Sequence, residues 1–273
     1  MRKAALLLAG ILSLGLAVVP PAAAQEGARE PEKCPRLIAG PPIPYLQTAS
    51  MRVAQAEDMV DITFLGHASF WIESPAGVSI VTDYSDWQRP PRTPRIATMN
   101  IAHSSHHTTN PDPAIEFLLP GWGDGAEPAH YDLTVDDVWL RNVTTNIRGW
   151  NTTEYDRNSM FVFEVARLCI AHLGHLHHVP TKEHLDALGR IDIVLAPVDG
   201  SYTLDQEGMF ETLALINAPV VIPMHFFGPS TLQRFVSRAR EEGYEVDMRS
   251  SASIEVSFGT LPRSRTLIVL PGS

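Results

Sequence analysis

The chain has 273 residues, of which 44% are hydrophobic and 19% are charged, and its formal net charge is −10 at pH 7. An apolar fraction of this size can fill a core, so the composition excludes a mainly disordered chain. Two cysteines are too few for a disulfide framework. The acidic balance argues against a nucleic-acid partner, because proteins that bind nucleic acid do so with clustered lysine and arginine.

The first 24 residues have the pattern of a secretory signal peptide. Residues 1–3 are basic, residues 4–19 are apolar, and three alanines precede an expected cleavage near Ala24. At about 16 residues the apolar stretch is short for a membrane span, which needs about 20, although a retained anchor is the alternative. We therefore expect an exported protein, periplasmic or secreted, that does not contact the membrane after cleavage.

Residues 25–57 are rich in proline, alanine and glycine, which favours an extended N-terminal arm. Cys34 lies in this arm and Cys169 in the body of the chain. In an oxidising compartment the two cysteines could form one disulfide, but the sequence leaves their pairing open. The predicted organisation is a signal peptide over 1–24, the arm over 25–57 and one domain over 58–273.

The first half of the domain has the texture of β-structure. Alternating and continuous apolar runs predict strands over residues 61–65, 69–73, 78–83, 96–102, 138–147 and 160–171. Between the fourth and fifth of these, residues 108–135 contain many prolines and glycines. They predict a long surface loop of the kind that often borders a binding site.

The last third of the chain alternates strands with helices. Helices are predicted over residues 181–189, 205–217 and 230–242, and strands over 191–197 and 220–223. A chain that begins with strands and then alternates strand and helix indicates a layered α/β domain.

The placement of the 11 histidines is the most informative feature of the sequence. Nine of them follow the ends of predicted strands: His67, His103, His106, His107, His172, His175, His177, His178 and His225. Ligands gather at the carboxyl ends of strands in α/β sheets, and neutral imidazole is the commonest protein ligand for zinc. The histidines therefore predict a shared metal site.

Each histidine also has a purely structural interpretation. His67, in a Gly-His-Ala turn, can be a hydrogen-bonded turn residue, and His103 and His106 can form a polar turn. His177 is adjacent to another histidine, and the two cannot easily face one site, so we expect them beside the ligands or exposed. His225 follows an apolar strand and needs a partner if it is buried.

Several segments resemble metallo-β-lactamase-fold hydrolases of the ascorbate-lactonase-like branch. They are Leu65–Phe70, Thr82-Asp83, His172–Gly174, Ile191–Pro197, Gly200–Thr203 and Val221–Phe226, in the family's order and spacing. The resemblance covers roughly residues 58–230. It implies an α/β fold, a four-layered αβ/βα sandwich in which two mixed β-sheets are flanked by helices, with a metal site at one edge of the sheets.

The resemblance fails at the family's metal motif. The family signature His-x-His-x-Asp-His is replaced by a loop that reads His103-Ser-Ser-His106-His107-Thr-Thr, and the family's bridging aspartate is His175 here. Two divalent ions with a bridging hydroxide carry a formal charge of about +3, of which neutral imidazoles offset none. The loss of both aspartates therefore favours one ion over two.

The predicted ligands and catalytic groups follow from this departure. The metal ligands are expected among His103, His106, His172, His175 and His225, with His67 and His107 as supporting residues or further ligands. We expect zinc, with manganese or iron as alternatives. Asp199 and Asp83 are the candidate catalytic residues, because carboxylates there can orient a water molecule or the ligand imidazoles.

These features predict an exported metal-dependent hydrolase. A metal-activated water would cleave an ester, lactone, amide or phosphodiester bond of a small-molecule substrate. The alternative is a metal-binding or sensing protein whose hydrolytic site has decayed, because the loss of the Asp-His pair is what such a history would leave. Hydrolysis that a chelator abolishes separates the two, while the substrate and the oligomeric state stay open.

Overall fold

The computed structural model describes residues 58–272. The strands in chain order are β1 (Val60–Gly66), β2 (Ser69–Glu73), β3 (Ser79–Val81), β4 (Ile96–Met99), β5 (Phe117–Pro120), β6 (Asp132–Val135), β7 (Val138–Arg148), β8 (Thr153–Val165), β9 (Leu168–His172), β10 (Ile193–Pro197), β11 (Val220–Met224), β12 (Glu245–Met248), β13 (Ser253–Val256) and β14 (Thr266–Val269). The helices are α1 (Lys182–Leu188), α2 (Gln206–Ile216) and α3 (Pro229–Glu241), and Phe258–Thr260 form a 3-10 turn. The predicted signal peptide and arm lie outside the described residues, and so does Cys34, whose pairing with Cys169 the sequence left open.

The described strands form two mixed sheets, as the resemblance implied. The first has the order β13-β1-β2-β3-β4-β5, and the second has the order β12-β14-β11-β10-β9-β8-β7-β6. In the first sheet β3, β4 and β5 run parallel. In the second, β9, β10, β11, β14 and β12 are parallel to their neighbours, whereas β6 to β9 form antiparallel hairpins.

The main core lies between the two sheets. β1 alternates, so that Val60, Ile62 and Phe64 are buried while Asp61 is exposed. β10 and β11 are instead buried along their whole length, because this part of the second sheet is covered on both faces. Burial of these apolar surfaces is the main stabilising contribution, at about 25 cal/mol per Å².

All three helices of the described residues pack on the outer face of the second sheet. Leu185 of α1, Phe210 of α2 and Phe235 of α3 share a cluster with the outward-facing residues of that sheet. The connection from β3 to β4 carries Pro90, Pro91 and Pro94 where a crossover helix would lie, and proline removes the helical hydrogen bond. The α/β sandwich is confirmed, with its described helices on one side only.

The predicted helices are confirmed to within a residue or two, with Thr181 and Asp205 as side-chain N-caps of α1 and α2. The predicted loop over 108–135 is wrong in part, since it contains β5 and β6. The predicted strand over 160–171 is two strands joined by a tight turn at Ala166 and Arg167, both with positive φ. None of the helices that the structure describes combines the length and apolar character needed to cross a membrane.

Candidate metal centre

His67, His106 and His225 converge at the edge where strands of both sheets end. One ring nitrogen of each lies within 4.8 Å of the others, the only such cluster of potential metal ligands among residues 58–272. The Nε2 atoms of His106 and His225 are 3.1 Å apart, and their rings are nearly parallel. The ring of His67 lies 4.2 Å from that of His225 and 5.1 Å from that of His106, measured between centroids.

Unusual backbone conformations hold this cluster in place. His67, Asp83 and His225 have φ angles of 52°, 47° and 55°. Residues other than glycine rarely adopt this left-handed region of backbone conformation. Those that do concentrate at functional sites, where the surrounding structure imposes the conformation. The backbone N–H of His225 donates to the carbonyl of His67 at 2.6 Å, which joins the edges of the two sheets.

Each of two ligand candidates is backed by a buried carboxylate. His106 Nδ1 donates to Asp83 Oδ2 at 2.7 Å, and His225 Nδ1 donates to Asp199 Oδ1 at 2.9 Å. A carboxylate that accepts this bond places the ring proton on Nδ1, so the Nε2 lone pair of each neutral ring is free. Two lone pairs therefore face each other across 3.1 Å, an arrangement that a cation between them stabilises.

These residues fit a divalent metal ion. His67 Nε2 is buried and has no hydrogen-bond partner, whereas buried polar atoms nearly always have one. Nitrogens bound at about 2.1 Å to one tetrahedral ion lie roughly 3.4 Å apart, close to the observed separation of His106 and His225. The unpartnered nitrogen, the facing lone pairs and the carboxylates behind them agree with a three-histidine site.

Burial keeps two of the three histidines of the cluster neutral. Burial lowers the pKa of His67 to about 3 and holds the pKa of His106 well below its ordinary value, with the neighbouring histidines adding to the effect. Both rings are therefore unprotonated at neutral pH in the metal-free protein. Since a proton and a metal ion compete for the same lone pair, this favours metal binding.

The two carboxylates differ in their electrostatics. Burial raises the pKa of Asp83 to about 6, although the backbone N–H of Asn100 donates to it at 3.0 Å. Burial acts in the same direction on Asp199, but hydrogen bonds from His225, Thr203 and Ser201 outweigh it and hold the pKa of Asp199 well below its usual value. Asp199 is thus ionised under all ordinary conditions.

Asp83 and Asp199 were predicted as catalytic groups. Both oxygens of each carboxylate accept hydrogen bonds from protein atoms. Neither residue is among those that line the adjacent cleft. The structure therefore places both carboxylates behind His106 and His225 and outside the lining of the cleft.

His172 was predicted as a ligand, and the structure does not bring it into the cluster. Its Nε2 donates to the carbonyl of Ala68 at 2.7 Å, while its Nδ1 accepts from the backbone N–H of Gly174 at 3.1 Å. Both ring nitrogens are occupied, so neither is free to bind an ion. His172 instead joins the end of β9 to the turn that carries His67.

His175 lies beside the cluster and is held by a second histidine. The backbone N–H of Arg148 donates to His177 Nδ1 at 3.0 Å, which places the proton of a neutral His177 on Nε2. His177 Nε2 then donates to His175 Nδ1 at 2.7 Å. This chain leaves the proton of a neutral His175 on its other nitrogen, Nε2, so that His175 is set as a hydrogen-bond donor.

The remaining predicted histidines lie farther from the centre. His103 is exposed, lines the mouth of the cleft and contacts Ser105 Oγ at 3.0 Å. His107 donates to the carbonyl of His103 and packs edge-on against Trp122, 5.5 Å between centroids. Of the loop that replaces the family's metal motif, only His106 joins the cluster.

Two buried asparagines that sequence reasoning missed, Asn100 and Asn158, hydrogen-bond to the backbone next to the centre. Asn158 Oδ1 accepts from the backbone N–H of His175, and Asn100 Nδ2 donates to the carbonyl of Ser159. Gly174 passes between them with φ of 62°, and a Cβ there would lie 2.6 Å from side-chain atoms of both asparagines. The signal for Asn100 was available, because it follows β4 as the histidines follow other strands.

A cleft of about 620 Å³ opens beside the cluster. Its lining residues in the described chain are His67, Trp87, Gln88, His103, Ser104, Ser105, His175, His177, Tyr202, His225 and Phe227. The three aromatic residues in this set were not predicted as part of the site. His67 and His225 reach the cleft, so a bound substrate can approach the ligand cluster.

Comparison with known families agrees with this geometry. A family described as the β-lactamase superfamily domain matches residues 61–225. A UPF0173 metal-dependent hydrolase from Thermoplasma acidophilum is 38% identical over 73 residues, which are 26% of this chain and 32% of that protein. A UPF0173 protein from Pyrococcus abyssi is 24% identical over 180 residues, which are 60% of this chain and 82% of that protein. The match thus spans only about a third of the Thermoplasma relative.

Solved structures share the fold. A crystal structure from Thermotoga maritima, of a protein assigned to the Zn-dependent hydrolases of the metallo-β-lactamase superfamily, is 28% identical with a TM-score of 0.57 and covers 78% of this chain and 100% of that chain. The metallo hydrolase Igni18 of Ignicoccus hospitalis is 16% identical with a TM-score of 0.56 and covers 73% of this chain and 99% of that chain, which is a likeness of fold alone.

Proposed function

The chain belongs to the β-lactamase superfamily, and from that premise we propose that it is a metal-dependent hydrolase with a single metal centre held by His67, His106 and His225. Three histidines that leave one position open are typical of catalytic zinc sites, which supports zinc over manganese or iron. A small-molecule substrate fits the size of the adjacent cleft.

A divalent ion held by these three histidines would lower the pKa of a water molecule and would act as a Lewis acid on the carbonyl or phosphoryl oxygen next to the bond that is cleaved. The chain's own residues do the positioning. Asp83 and Asp199 fix the tautomers of His106 and His225, so that Nε2 of each faces the centre. His175, whose donor nitrogen is set by His177, can donate a hydrogen bond to a substrate oxygen on which negative charge develops.

The observation that carries the proposal is the unpartnered Nε2 of His67 beside two facing Nε2 atoms. A cluster retained only for packing would pair these nitrogens with protein groups, as His172 does. The carboxylates behind His106 and His225 further distinguish the cluster from a set of unrelated buried histidines.

The test is metal content combined with hydrolysis. The full chain is purified mildly and analysed for bound elements, next to a His67→Ala variant and a His103→Ala control. About one ion per chain is expected for the wild type and the control, and clearly less for His67→Ala. Hydrolysis of generic esters should require the ion and be lost on chelation.

Other outcomes revise the proposal in defined ways. Two ions per chain would contradict the single centre. One ion without hydrolysis of any ester, lactone, amide or phosphodiester would favour the metal-binding or sensing protein with a decayed site. No ion after reconstitution with zinc, manganese or iron would overturn the proposal. The basic and apolar residues 2–24 support the separate proposal that the hydrolase is exported.

A further inference from the structure

The cleft beside the metal centre has exposed aromatic walls. Trp87, Tyr202 and Phe227 all line it, and each leaves more than half of its surface exposed, at 71%, 65% and 62%. Isolated apolar residues are common on protein surfaces. Three large aromatic side chains around one cleft instead mark a surface that binds an apolar group.

This aromatic wall continues directly from the ligand cluster. The ring of Phe227 lies 5.2 Å from that of His225 and 5.5 Å from that of His67. On its other side it meets the ring of Tyr202 edge-on at 5.3 Å. A planar group resting against Phe227 therefore lies next to the place where a bond would be cleaved, and it reaches outward toward Tyr202.

Among residues 58–272, no Asp, Glu, Lys or Arg side chain lines the cleft. Apart from the aromatic residues and histidines, its lining in the described chain consists of Gln88, Ser104 and Ser105. Two arginines that contact neighbouring segments are turned to other partners. Arg89 binds Asp86 and the Tyr84 hydroxyl, and the Arg148 guanidinium donates to the carbonyls of Ser201 and Thr203.

A cleft lined by aromatic and uncharged polar side chains favours a neutral aromatic group over a charged one. A charge on the part of a substrate that rests against the aromatic residues, away from the metal centre, needs a cationic or multiple N–H partner once it leaves water, and the described lining offers none there. A neutral aromatic group needs only apolar surface, and aromatic pairs contribute beyond the area that they bury. The net charge of −10 further disfavours the approach of anions.

Resting on the proposed hydrolase function, we propose that the cleft selects substrates with an uncharged aromatic group next to the scissile bond, and that Trp87, Tyr202 and Phe227 determine this specificity. For an aryl or arylalkyl ester, hydrolysis adds one water across the acyl C–O bond. It releases one carboxylic acid and one alcohol, with no other reactant.

Binding is measured first, on the full chain as purified and again after chelation of metal. The probes are phenylacetamide, which is neutral and aromatic, acetamide, which lacks the ring, and phenyl phosphate, which is aromatic and anionic. Calorimetric titration should give an affinity for phenylacetamide roughly tenfold or more above that for acetamide and, on the chelated protein, above that for phenyl phosphate as well. The preference should persist without metal, because the aromatic wall is independent of the ion.

Matched tryptophan variants test the site of binding. Trp87→Ala and Phe227→Ala should each weaken phenylacetamide binding by roughly five- to tenfold. Trp150→Ala is the control, since Trp150 is 97% exposed and lies outside the cleft lining. It removes the same side chain from the surface and should leave the affinity unchanged. Far-ultraviolet circular dichroism confirms that the three variants are folded.

On the chelated, metal-free protein two results overturn the inference: equal binding of phenylacetamide and acetamide, or tighter binding of phenyl phosphate, which no ion is then present to attract. An effect of Trp150→Ala as large as that of Trp87→Ala also overturns it. The proposed function fails separately. If phenylacetamide binds selectively but the metal-loaded protein hydrolyses neither phenyl acetate nor methyl acetate, the cleft assignment stands and the hydrolase does not. If both esters are cleaved with equal kcat/KM and no probe binds selectively, the reverse holds.

Discussion

The metal centre has two carboxylate–histidine arms, Asp83–His106 and Asp199–His225. Each carboxylate orients its histidine, but the pKa values of the two carboxylates are shifted in opposite directions. Asp83 orients His106 from the first sheet, and Asp199 orients His225 from the second. Asp83 is fully buried and has one backbone N–H donor besides the histidine. Asp199 is nearly as buried, but the backbone N–H groups of residues 201–203 and the hydroxyls of Ser201 and Thr203 all donate to it.

This difference shows that a buried carboxylate behind a ligand histidine can have its charge stabilised by hydrogen bonds, as in Asp199, or can lack most of that stabilisation, as in Asp83. The turn after β10 supplies Asp199 with so many donors that its charged form is stabilised without a metal. Asp83 depends on His106, and its raised pKa shows that the enclosure favours the protonated acid until something positive binds nearby. The two arms therefore respond differently to mutation, pH and metal removal.

The largest effect is expected on the affinity for zinc when His106 or His225 is removed. His106→Ala and His225→Ala should each lower the affinity for zinc by more than about 100-fold, because each takes away one of three nitrogens and leaves a carboxylate without its partner. A competition titration with a chromophoric chelator measures the affinity. His103→Ala, in the same loop as His106, is the control and should change it little. A loss as large in the control would place the ion elsewhere.

The next largest effect is expected on the free energy of unfolding, which should distinguish the two carboxylates. Asp199→Asn should destabilise the metal-free protein by about 2–4 kcal/mol, since an amide replaces one oxygen acceptor with a donor and leaves several buried N–H groups unpaired. Urea unfolding in the presence of a chelator at pH 7 gives the free energy of unfolding. Asp83→Asn is the paired variant and should not destabilise the protein at this pH. Equal losses in both variants would remove the distinction between the arms.

The smallest expected effect is a pH dependence in the metal-free protein. The pKa of Asp83 is about 6 in the folded state against an ordinary 3.8, so the folded protein binds more protons than the unfolded chain between these values. The stabilising contribution of Asp83 is therefore complete below about pH 4 and is lost as the pH rises through about 6. Asp83→Asn should be more stable than the wild type above pH 6, by at most about 3 kcal/mol.

The measurement is the difference in unfolding free energy between Asp83→Asn and the wild type, taken at intervals from pH 4 to pH 8 in a chelating buffer. The difference cancels the titration of histidines common to both proteins. A difference that stays flat across this range would mean that Asp83 is ionised throughout, as Asp199 is, and the contrast between the two arms would disappear.

The strand and helix order of the last third and the histidine-rich edge could be predicted from the residues alone. Apolar runs such as residues 193–197 and capping residues such as Thr181 and Asp205 act locally, so their structural meaning can be predicted without the fold. A histidine that follows a strand is placed at the sheet edge by the strand itself. A shared site could therefore be predicted, and His106 and His225 were both predicted to belong to it.

Which histidines face the centre depends on contacts between distant parts of the chain. His172 and His106 look alike in sequence, but one has both ring nitrogens paired with groups near in space, and the other has a carboxylate behind it and an open Nε2. His67 enters the cluster because its carbonyl accepts from the backbone of His225, 158 positions away. Ligand identity depends on such long-range hydrogen bonds, and local sequence carries no record of them.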